Sequence, residues 1–163
     1  MQLVNKIIPC LWFDSEAEKA ARFYTSVFPD SRITGISHYS EGVKDKPAGS
    51  VLTVSFELAG QAFTALNGGP IFKFSEAVSL QVMCDSAEEV DHFWSQLGEG
   101  GPAEAQRCGW LKDRFGLSWQ VIPRRFIAMV TDPDKAKVGR VFAAMMKMKK
   151  LDLPALERAS NGE

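Results

Sequence analysis

The feature that most limits what this chain can fold into is an internal repeat. Phe13-Asp14-Ser15-Glu16-Ala17-Glu18 leads to the aromatic pair Phe23-Tyr24, and Cys84-Asp85-Ser86-Ala87-Glu88-Glu89 leads to Phe93-Trp94. In each copy the serine stands three residues before a glutamate, which is the spacing of a capping box at a helix N-terminus. The repeat therefore predicts two similar units, each containing a helix capped by Ser15 or Ser86.

Each predicted helix has strand-like stretches on both sides. An apolar run precedes it, at Lys6–Phe13 and at Ala77–Cys84. Three further stretches follow it: Arg32–Tyr39, Ser50–Leu58 and Gln61–Asn67 in the first half, and Ala103–Cys108, Gly109–Arg114 and Leu117–Ile122 in the second. Glycine, which permits positive φ, stands at the expected hairpin turns Ala59-Gly60 and Phe115-Gly116. We therefore predict an α+β fold with two tandem βαβββ units.

After Pro123 the pattern changes from strands to helices. Asp132-Pro133 has the pattern of a helix start, with Asp132 as N-cap and Pro133 at the first helical position. Apolar residues then recur at helical spacing at Val138, Val141, Phe142, Met145 and Met146. We divide the chain into paired units at 1–123, with halves at about 1–68 and 77–123, and a helical extension at 124–163, all forming one functional domain. The extension is expected to pack on the sheet or on a second subunit.

Charge and cysteine content exclude several classes of function. The 19 basic and 20 acidic residues give a net charge of −1, which predicts no basic face for nucleic acid. No apolar run approaches the ~20 residues that a membrane-spanning helix needs, and the segment Met1–Lys6 resembles no targeting peptide. The three cysteines, Cys10, Cys84 and Cys108, are odd in number and have no Cys-x-x-Cys spacing. We therefore expect free thiols and a cytoplasmic protein.

Strand alternation identifies polar side chains that would face away from the helices. Every second residue of the predicted strands Ala77–Cys84 and Leu117–Ile122 is apolar and is expected to face the helices. These residues are Val78, Leu80, Val82 and Cys84 in the first strand, and Leu117, Trp119 and Val121 in the second. The side chains on the opposite side are Ser79, Gln81 and Met83 in one strand, and Ser118, Gln120 and Ile122 in the other. Buried amides need hydrogen-bond partners, so the polar members either bind a small polar or aromatic molecule or bond each other and ordered water.

A second group of polar residues occupies the predicted hairpin. Trp110, Lys112, Asp113 and Arg114 follow one another closely, with Lys112 and Arg114 on one strand face and Asp113 on the other. Lys112 or Asp113 could act as a general acid or base if its pKa were shifted. The alternative is a solvated hairpin with surface ion pairs.

Three stretches carry a resemblance to a known family. Leu11–Asp14, Ala65–Pro70 and Cys108–Gly116 resemble the PhnB-like group of the vicinal oxygen chelate superfamily, which includes glyoxalase I and the bleomycin-resistance proteins. The resemblance covers nearly the whole chain. It implies a glyoxalase/bleomycin-resistance-like fold, in which each unit's mixed sheet curls and two units enclose a cavity. It also implies a homodimer.

The resemblance further implies a set of metal-ligand positions, which this chain fills poorly. Superfamily enzymes hold a divalent ion with His, Glu or Gln, and the corresponding positions here hold Ile7, Ser79 and Gln120, with a fourth near Ala65 or Asn67. Only Gln120 could serve as a ligand. Because a site poor in carboxylate and imidazole binds divalent ions badly, we predict no metal site and no cofactor.

Members of the PhnB-like group are often labelled as similar to 3-demethylubiquinone methyltransferase. The common S-adenosylmethionine enzymes place a glycine-rich loop after the first strand of a parallel sheet. In this chain Gly98, Gly100 and Gly101 follow a predicted helix instead. The sequence therefore does not support methyltransferase activity.

The sequence favours a small-molecule-binding protein with a neutral polar cavity and no standard metal site. The ligand-binding candidates are Gln120, Gln81, Ser79, Ser118, Asn67, Trp110 and Lys112. Two alternatives remain open. One is an enzyme that uses Lys112 or Asp113, and the other is a structural or regulatory dimer with a vestigial cavity.

Overall fold

The repeat found in the sequence forms two units, which divide the chain between Lys73 and Phe74. The structure is a computed structural model that describes residues 5–163. Residues 1–4, which belong to the N-terminal segment considered above as a targeting signal, lie outside the described residues. None of the helices in the described part of the chain is long and apolar enough to cross a membrane.

The first unit has the predicted order of one strand, one helix and three strands. Its elements are β1 (Cys10–Phe13), α1 (Ala17–Val27), β2 (Arg32–His38), β3 (Val51–Leu58) and β4 (Gln61–Asn67). The sheet order is β1-β4-β3-β2, with β1 parallel to β4 and the other neighbours antiparallel. Ala59 and Gly60, with φ of 46° and 84°, form the tight turn between β3 and β4. The hairpin turn predicted there is confirmed.

The core of the first unit lies between α1 and the sheet. Helix α1 buries one face, formed by Ala17, Ala20, Ala21, Tyr24 and Val27. The Tyr24 ring stacks on Phe56 of β3, with ring centroids 6.3 Å apart, and Phe56 stacks on Phe63 of β4 at 5.4 Å. Small residues on the helix let it approach the strands closely, and the stacked rings fill the space between them.

The second unit has a smaller sheet than expected. Its elements are β5 (Ser79–Cys84), α2 (Ala87–Gly98), β6 (Trp110–Lys112) and β7 (Ser118–Pro123), in the sheet order β5-β7-β6. The strand predicted at Ala103–Cys108 is wrong, because Ala103–Ala105 forms a turn of 3₁₀ helix after Pro102. This stretch lacks the β-branched residues that favour a strand, and Arg107 forms an isolated bridge with Trp110.

The N-terminus of α2 is capped as the sequence predicts. The Ser86 hydroxyl accepts a hydrogen bond from the Glu89 N–H at 3.2 Å. The Glu89 carboxylate accepts in return from the backbone N–H of Asp85 at 2.7 Å, one residue before the N-cap. The predicted cap for the helix of the extension is wrong, because Asp134 caps it and Asp132 accepts from the Asp134 N–H instead. Asp132 lies two residues before the N-cap Asp134 and therefore cannot cap the first helical N–H groups.

The extension consists of α3 (Arg124–Val130), α4 (Lys135–Met145) and α5 (Leu153–Asn161). Ile122 of β7 forms one buried cluster with Phe126, Val141, Leu151 and Leu156, and Met83 of β5 packs against it. The backbone N–H groups of Cys108 and Gly109 donate to the carbonyls of Met148 and Lys149. The extension therefore packs on the chain's own second sheet, which is one of the two alternatives expected.

Candidate functional site

Six of the seven ligand-binding candidates lie on one face of the second sheet. Parallel pairing sets Ser79 opposite Ser118 and Gln81 opposite Gln120. Antiparallel pairing sets Trp110 opposite Gln120 and Lys112 opposite Ser118. Side chains of directly paired residues project to the same side of a sheet. We call this surface the polar face; its members are Ser79, Gln81, Trp110, Lys112, Ser118 and Gln120.

The other face of this sheet packs against α2. Val82, Cys84, Leu111, Trp119 and Val121 are buried there, as expected from alternation. Val78 was expected to face the helices, but this is wrong: it precedes β5 and is exposed. The strand begins only at Ser79, so the apolar run is longer than the strand. The polar face is consequently the side that α2 does not cover.

The two glutamines of the polar face are joined in a short chain of hydrogen bonds. Gln120 Nε2 donates to Ser79 Oγ at 2.8 Å, and Gln81 Nε2 donates to Gln120 Oε1 at 3.4 Å. Each amide has two N–H donors, and the chain uses one from each. The residues thus bond each other, and a second donor on each glutamine is available to a further acceptor.

One edge of the polar face carries a cation. Lys112 Nζ lies 2.6 Å from Glu76 Oε1, with the lysine side chain 25% exposed and that of Glu76 66% exposed. The hydrogen bond from Lys112, helped by a backbone hydrogen bond, holds the pKa of the Glu76 carboxyl below its usual value. The pair makes this edge neutral overall.

Asp113 points away from Lys112 and is only 1% exposed. Its Oδ1 accepts from the backbone N–H groups of Phe115 and Leu117 at 2.8 and 3.1 Å. Its Oδ2 accepts from the Trp119 indole N–H at 2.8 Å. Asp113 therefore shapes the turn between β6 and β7 and fixes the Trp119 ring. The expected solvated hairpin with surface ion pairs therefore does not apply to Asp113, which is buried. It does apply to Arg114, which forms a surface ion pair with Glu99 at 3.3 Å.

Asn67, the seventh candidate, belongs to the first unit and caps α1. Its Oδ1 accepts from the Ala17 N–H at 2.8 Å, and its Nδ2 donates to the Val51 carbonyl at 3.1 Å. The predicted cap by Ser15 is wrong, because the helix begins after Glu16 without a side-chain cap of its own. The pairing of Phe13 with Asn67 brings the end of β4 to the start of α1. No local pattern in the sequence could have revealed this contact.

Trp12 has a role that the sequence did not predict. Its indole N–H donates to the Gly69 carbonyl at 2.8 Å, and its ring meets Phe72 edge-on with centroids 5.0 Å apart. A Cβ at Gly68 would lie 2.1 Å from the Trp12 ring, so glycine is required there. The Gly68-Gly69 pair is the signal that could have been read as a close approach of the backbone to a bulky side chain.

The positions at which the superfamily holds a metal do not form a donor set here. Ile7 is apolar and 86% exposed, Ser79 and Gln120 bond each other, and Asn67 is committed to capping α1. Among residues 5–163, no three His, Cys, Asp or Glu side chains are grouped so that they could hold a metal ion. These residues do not fit a divalent cation.

We expect the purified protein to contain no stoichiometric zinc, nickel, manganese or iron. Its melting temperature should not change when a chelator is added, since metal removal destabilises only a protein that uses the metal to fold. Elemental analysis and thermal melts with and without chelator test this. One metal ion per chain, lost together with thermal stability, would contradict the assignment.

The strand-to-helix turns also differ from those of common nucleotide-binding enzymes. β1 and β5 are followed by Asp14-Ser15-Glu16 and Asp85-Ser86, which contain no glycine. Both sheets are mixed, whereas such loops follow a strand of a parallel sheet. No glycine-rich loop therefore stands at either turn.

Cys84 is not an activated nucleophile. Burial, together with the carboxylates of Glu89 and Asp85, raises the pKa of the Cys84 thiol to about 12. A protonated, buried thiol is a poor nucleophile. Cys108 is half-buried, and its sulfur lies 4.0 Å from that of Met146.

A cavity of about 290 Å³ lies in the extension, between α3 and α5. It is lined by Arg125, Ala128, Met129, Asp132, Glu157, Ser160 and Asn161. Arg125 and Glu157 form an ion pair at 2.6 Å at its wall. None of the seven candidate residues lines this cavity.

The two units, each with one mixed sheet and a helix, and the C-terminal helices define an α+β fold. The chain belongs to the family described as 3-demethylubiquinone-9 3-methyltransferase, whose sequence model matches residues 5–122. The resemblance to the PhnB-like group is thereby confirmed.

Solved structures agree with this assignment. The PhnB protein of Bacillus cereus is 36% identical, with a TM-score of 0.63 over 73% of this chain and 99% of that chain. Protein PA1353 from Pseudomonas aeruginosa is 21% identical, with a TM-score of 0.57 over 73% of this chain and 97% of that chain, and shows the same fold. A search of curated proteins found no match.

Proposed function

We propose that this protein binds a small polar or aromatic molecule on the polar face, without a metal ion. The observation that carries the proposal is the alignment of two glutamine amides, the Ser79 hydroxyl and one indole on a single sheet face, where Ser118 is buried. An array of neutral donors and acceptors orients a ligand's carbonyl or hydroxyl without bringing in charge.

The arrangement of the face supports an aromatic or planar ligand. Trp110 is half-buried beside Gln120, so a flat ring can contact the indole while its polar substituent reaches the glutamine amides. The hydrogen bonds between Ser79, Gln120 and Gln81 hold these amides in place before binding. Such preorganisation reduces the entropy that binding would otherwise cost.

Gln120→Leu should weaken binding of benzamide, a flat neutral probe with one carboxamide, by about tenfold or more. The substitution removes the central amide, and an unmet hydrogen bond of this kind costs on the order of 1–3 kcal/mol. The free energy of unfolding should stay nearly unaltered or rise, because an apolar group of similar size replaces a half-buried amide. Titration calorimetry and urea unfolding measure the two quantities.

The matched control is Gln61→Leu, at an exposed glutamine of the β3–β4 hairpin. It should leave benzamide affinity unchanged. Unchanged affinity in Gln120→Leu with a large loss of stability would make Gln120 a structural residue. Absence of benzamide binding to the unmodified protein would also count against the proposal.

We further propose that the protein forms a homodimer. Helix α4 buries Val141 within the chain but leaves the large apolar side chain of Phe142 exposed. Met146, just after α4, and Ile127 of α3 are exposed too. Light scattering behind size exclusion should give about twice the chain mass of 18.0 kDa. Phe142→Glu should shift the protein towards the single-chain mass, since burying a carboxylate in an apolar contact is costly. A monomer at micromolar concentration would contradict this.

A cytoplasmic location is proposed from the cysteines. Cys10, Cys84 and Cys108 are all free. Free thiols persist in reducing compartments and tend to pair in oxidising ones. Fractionation of expressing cells, followed by immunodetection, tests the location.

A further inference from the structure

We propose that the molecule bound at the polar face carries a single carboxylate, and that Lys112 receives this group when Glu76 swings away. The inference rests on the proposed function and names the chemical class of its ligand. Glu76 then acts as an internal substitute for the ligand's acidic group.

Lys112 is placed to serve the same ligand as the glutamines. It is paired directly with Ser118, and it follows Trp110 by two residues on the same face of β6. It is the one charged side chain among the six members of the polar face. A ring resting on Trp110 and Gln120 could therefore direct one substituent along the strand towards the ammonium group.

The position of Glu76 allows its side chain to move away from Lys112. It precedes β5 by three residues and lies outside the sheet, while its carboxylate reaches the Lys112 ammonium at 2.6 Å. The Glu76 side chain is largely in water, whereas Lys112 is mostly covered. Because the Glu76 carboxylate is already largely hydrated in the pair, its release to water requires little rearrangement of the fold. The displaced Glu76 carboxylate is then fully hydrated. The Lys112 ammonium is less accessible to water, so it favours a new anionic partner.

The chemistry of the face favours a carboxylate over a phosphate. One ammonium group surrounded by neutral amides and hydroxyls balances one negative charge. A phosphate near neutral pH carries between one and two charges and is usually met by several cations or by backbone N–H groups. Within the polar face Lys112 has no second cation beside it.

The test compares benzoate with benzamide, two probes of nearly the same shape that differ in charge. Ligand-observed NMR titrations give the affinity of each probe for the unmodified protein and its variants. Glu76→Gln should raise benzoate affinity about tenfold and leave benzamide affinity within twofold. Lys112→Met should lower benzoate affinity at least tenfold below that of Glu76→Gln, again with little change for benzamide.

Two controls distinguish displacement of Glu76 by a ligand carboxylate from a general effect of the protein's charge. Glu99→Gln removes an exposed glutamate of another ion pair in the same unit, with Arg114, and should change neither affinity. Lys112→Gln, with thermal melts of every variant, replaces Lys112→Met if the latter destabilises the fold. Equal gains for benzoate and benzamide in Glu76→Gln, or in Glu99→Gln, would overturn the inference.

The outcomes also distinguish the inference from the proposed function. Benzamide binding that depends on Gln120, with no response of benzoate to Glu76 or Lys112, overturns the inference and leaves the proposed function standing. Inorganic phosphate that binds more tightly than benzoate, through Lys112, overturns the assignment to a carboxylate. Failure of both probes to bind any of the proteins overturns both proposals.

Discussion

Asp113→Ala is expected to lower the free energy of unfolding by about 3–5 kcal/mol. The substitution removes the carboxylate that accepts from the backbone N–H groups of Phe115 and Leu117 and from the Trp119 indole N–H. A buried donor without a partner costs roughly 1–3 kcal/mol. The loss should be smaller than the sum over three donors, because the buried carboxylate is itself costly to desolvate. Urea unfolding followed by tryptophan fluorescence measures the effect.

Asp85→Ala is the matched control for this prediction. Asp85 lies in the same unit and pairs with Arg124 at 2.8 Å, but both side chains are exposed. Its replacement should change the free energy of unfolding by less than about 1 kcal/mol. If Asp113→Ala were no more destabilising than Asp85→Ala, the turn would not depend on the carboxylate. Asp113 would then be available for the acid–base role considered from the sequence.

Asn67→Ala is expected to lower the free energy of unfolding by about 2–4 kcal/mol. The change removes the cap of α1 at Ala17 and the donor to the Val51 carbonyl. Loss of a capping side chain costs about 1 kcal/mol in typical cases, and the unpaired carbonyl adds to it. Chemical denaturation gives the free energy of unfolding directly.

Ser15→Ala provides the sharpest comparison with Asn67→Ala. The sequence pattern assigns the cap to Ser15, whereas the structure gives α1 no cap from a neighbouring side chain. Ser15→Ala should therefore change the free energy of unfolding by less than about 0.5 kcal/mol. The effect of Asn67→Asp on the free energy of unfolding should lie between those of Ser15→Ala and Asn67→Ala. Aspartate keeps an oxygen that accepts from the Ala17 N–H but has no N–H to donate to the Val51 carbonyl. If Ser15→Ala lowered the free energy of unfolding more than Asn67→Ala, Ser15 and not Asn67 would be the residue that caps α1.

The sequence by itself determined the features that depend on neighbouring residues. The repeat predicted two similar units, and the Ser86–Glu89 spacing predicted a cap that forms. The Ala59-Gly60 pair predicted a hairpin, because its backbone can take the positive φ that a two-residue turn demands. Alternation along β5 and β7 put Gln81 and Gln120 on one side, since successive side chains of a strand must point to opposite faces.

Tertiary structure alone decided which of these polar residues meet and what they bond. Gln81 and Gln120 are 39 residues apart in the chain, and only the register of β5 against β7 sets them side by side. Asn67 lies 50 residues beyond Ala17, whose N–H it caps. The strand expected at Ala103–Cys108 did not form, because this stretch lacks β-branched residues and Ala103–Ala105 folds into a turn of 3₁₀ helix instead. The Ser86–Glu89 cap and the Ala59-Gly60 turn follow from local sequence, whereas the contacts of Gln81, Gln120 and Asn67 depend on how distant segments pack.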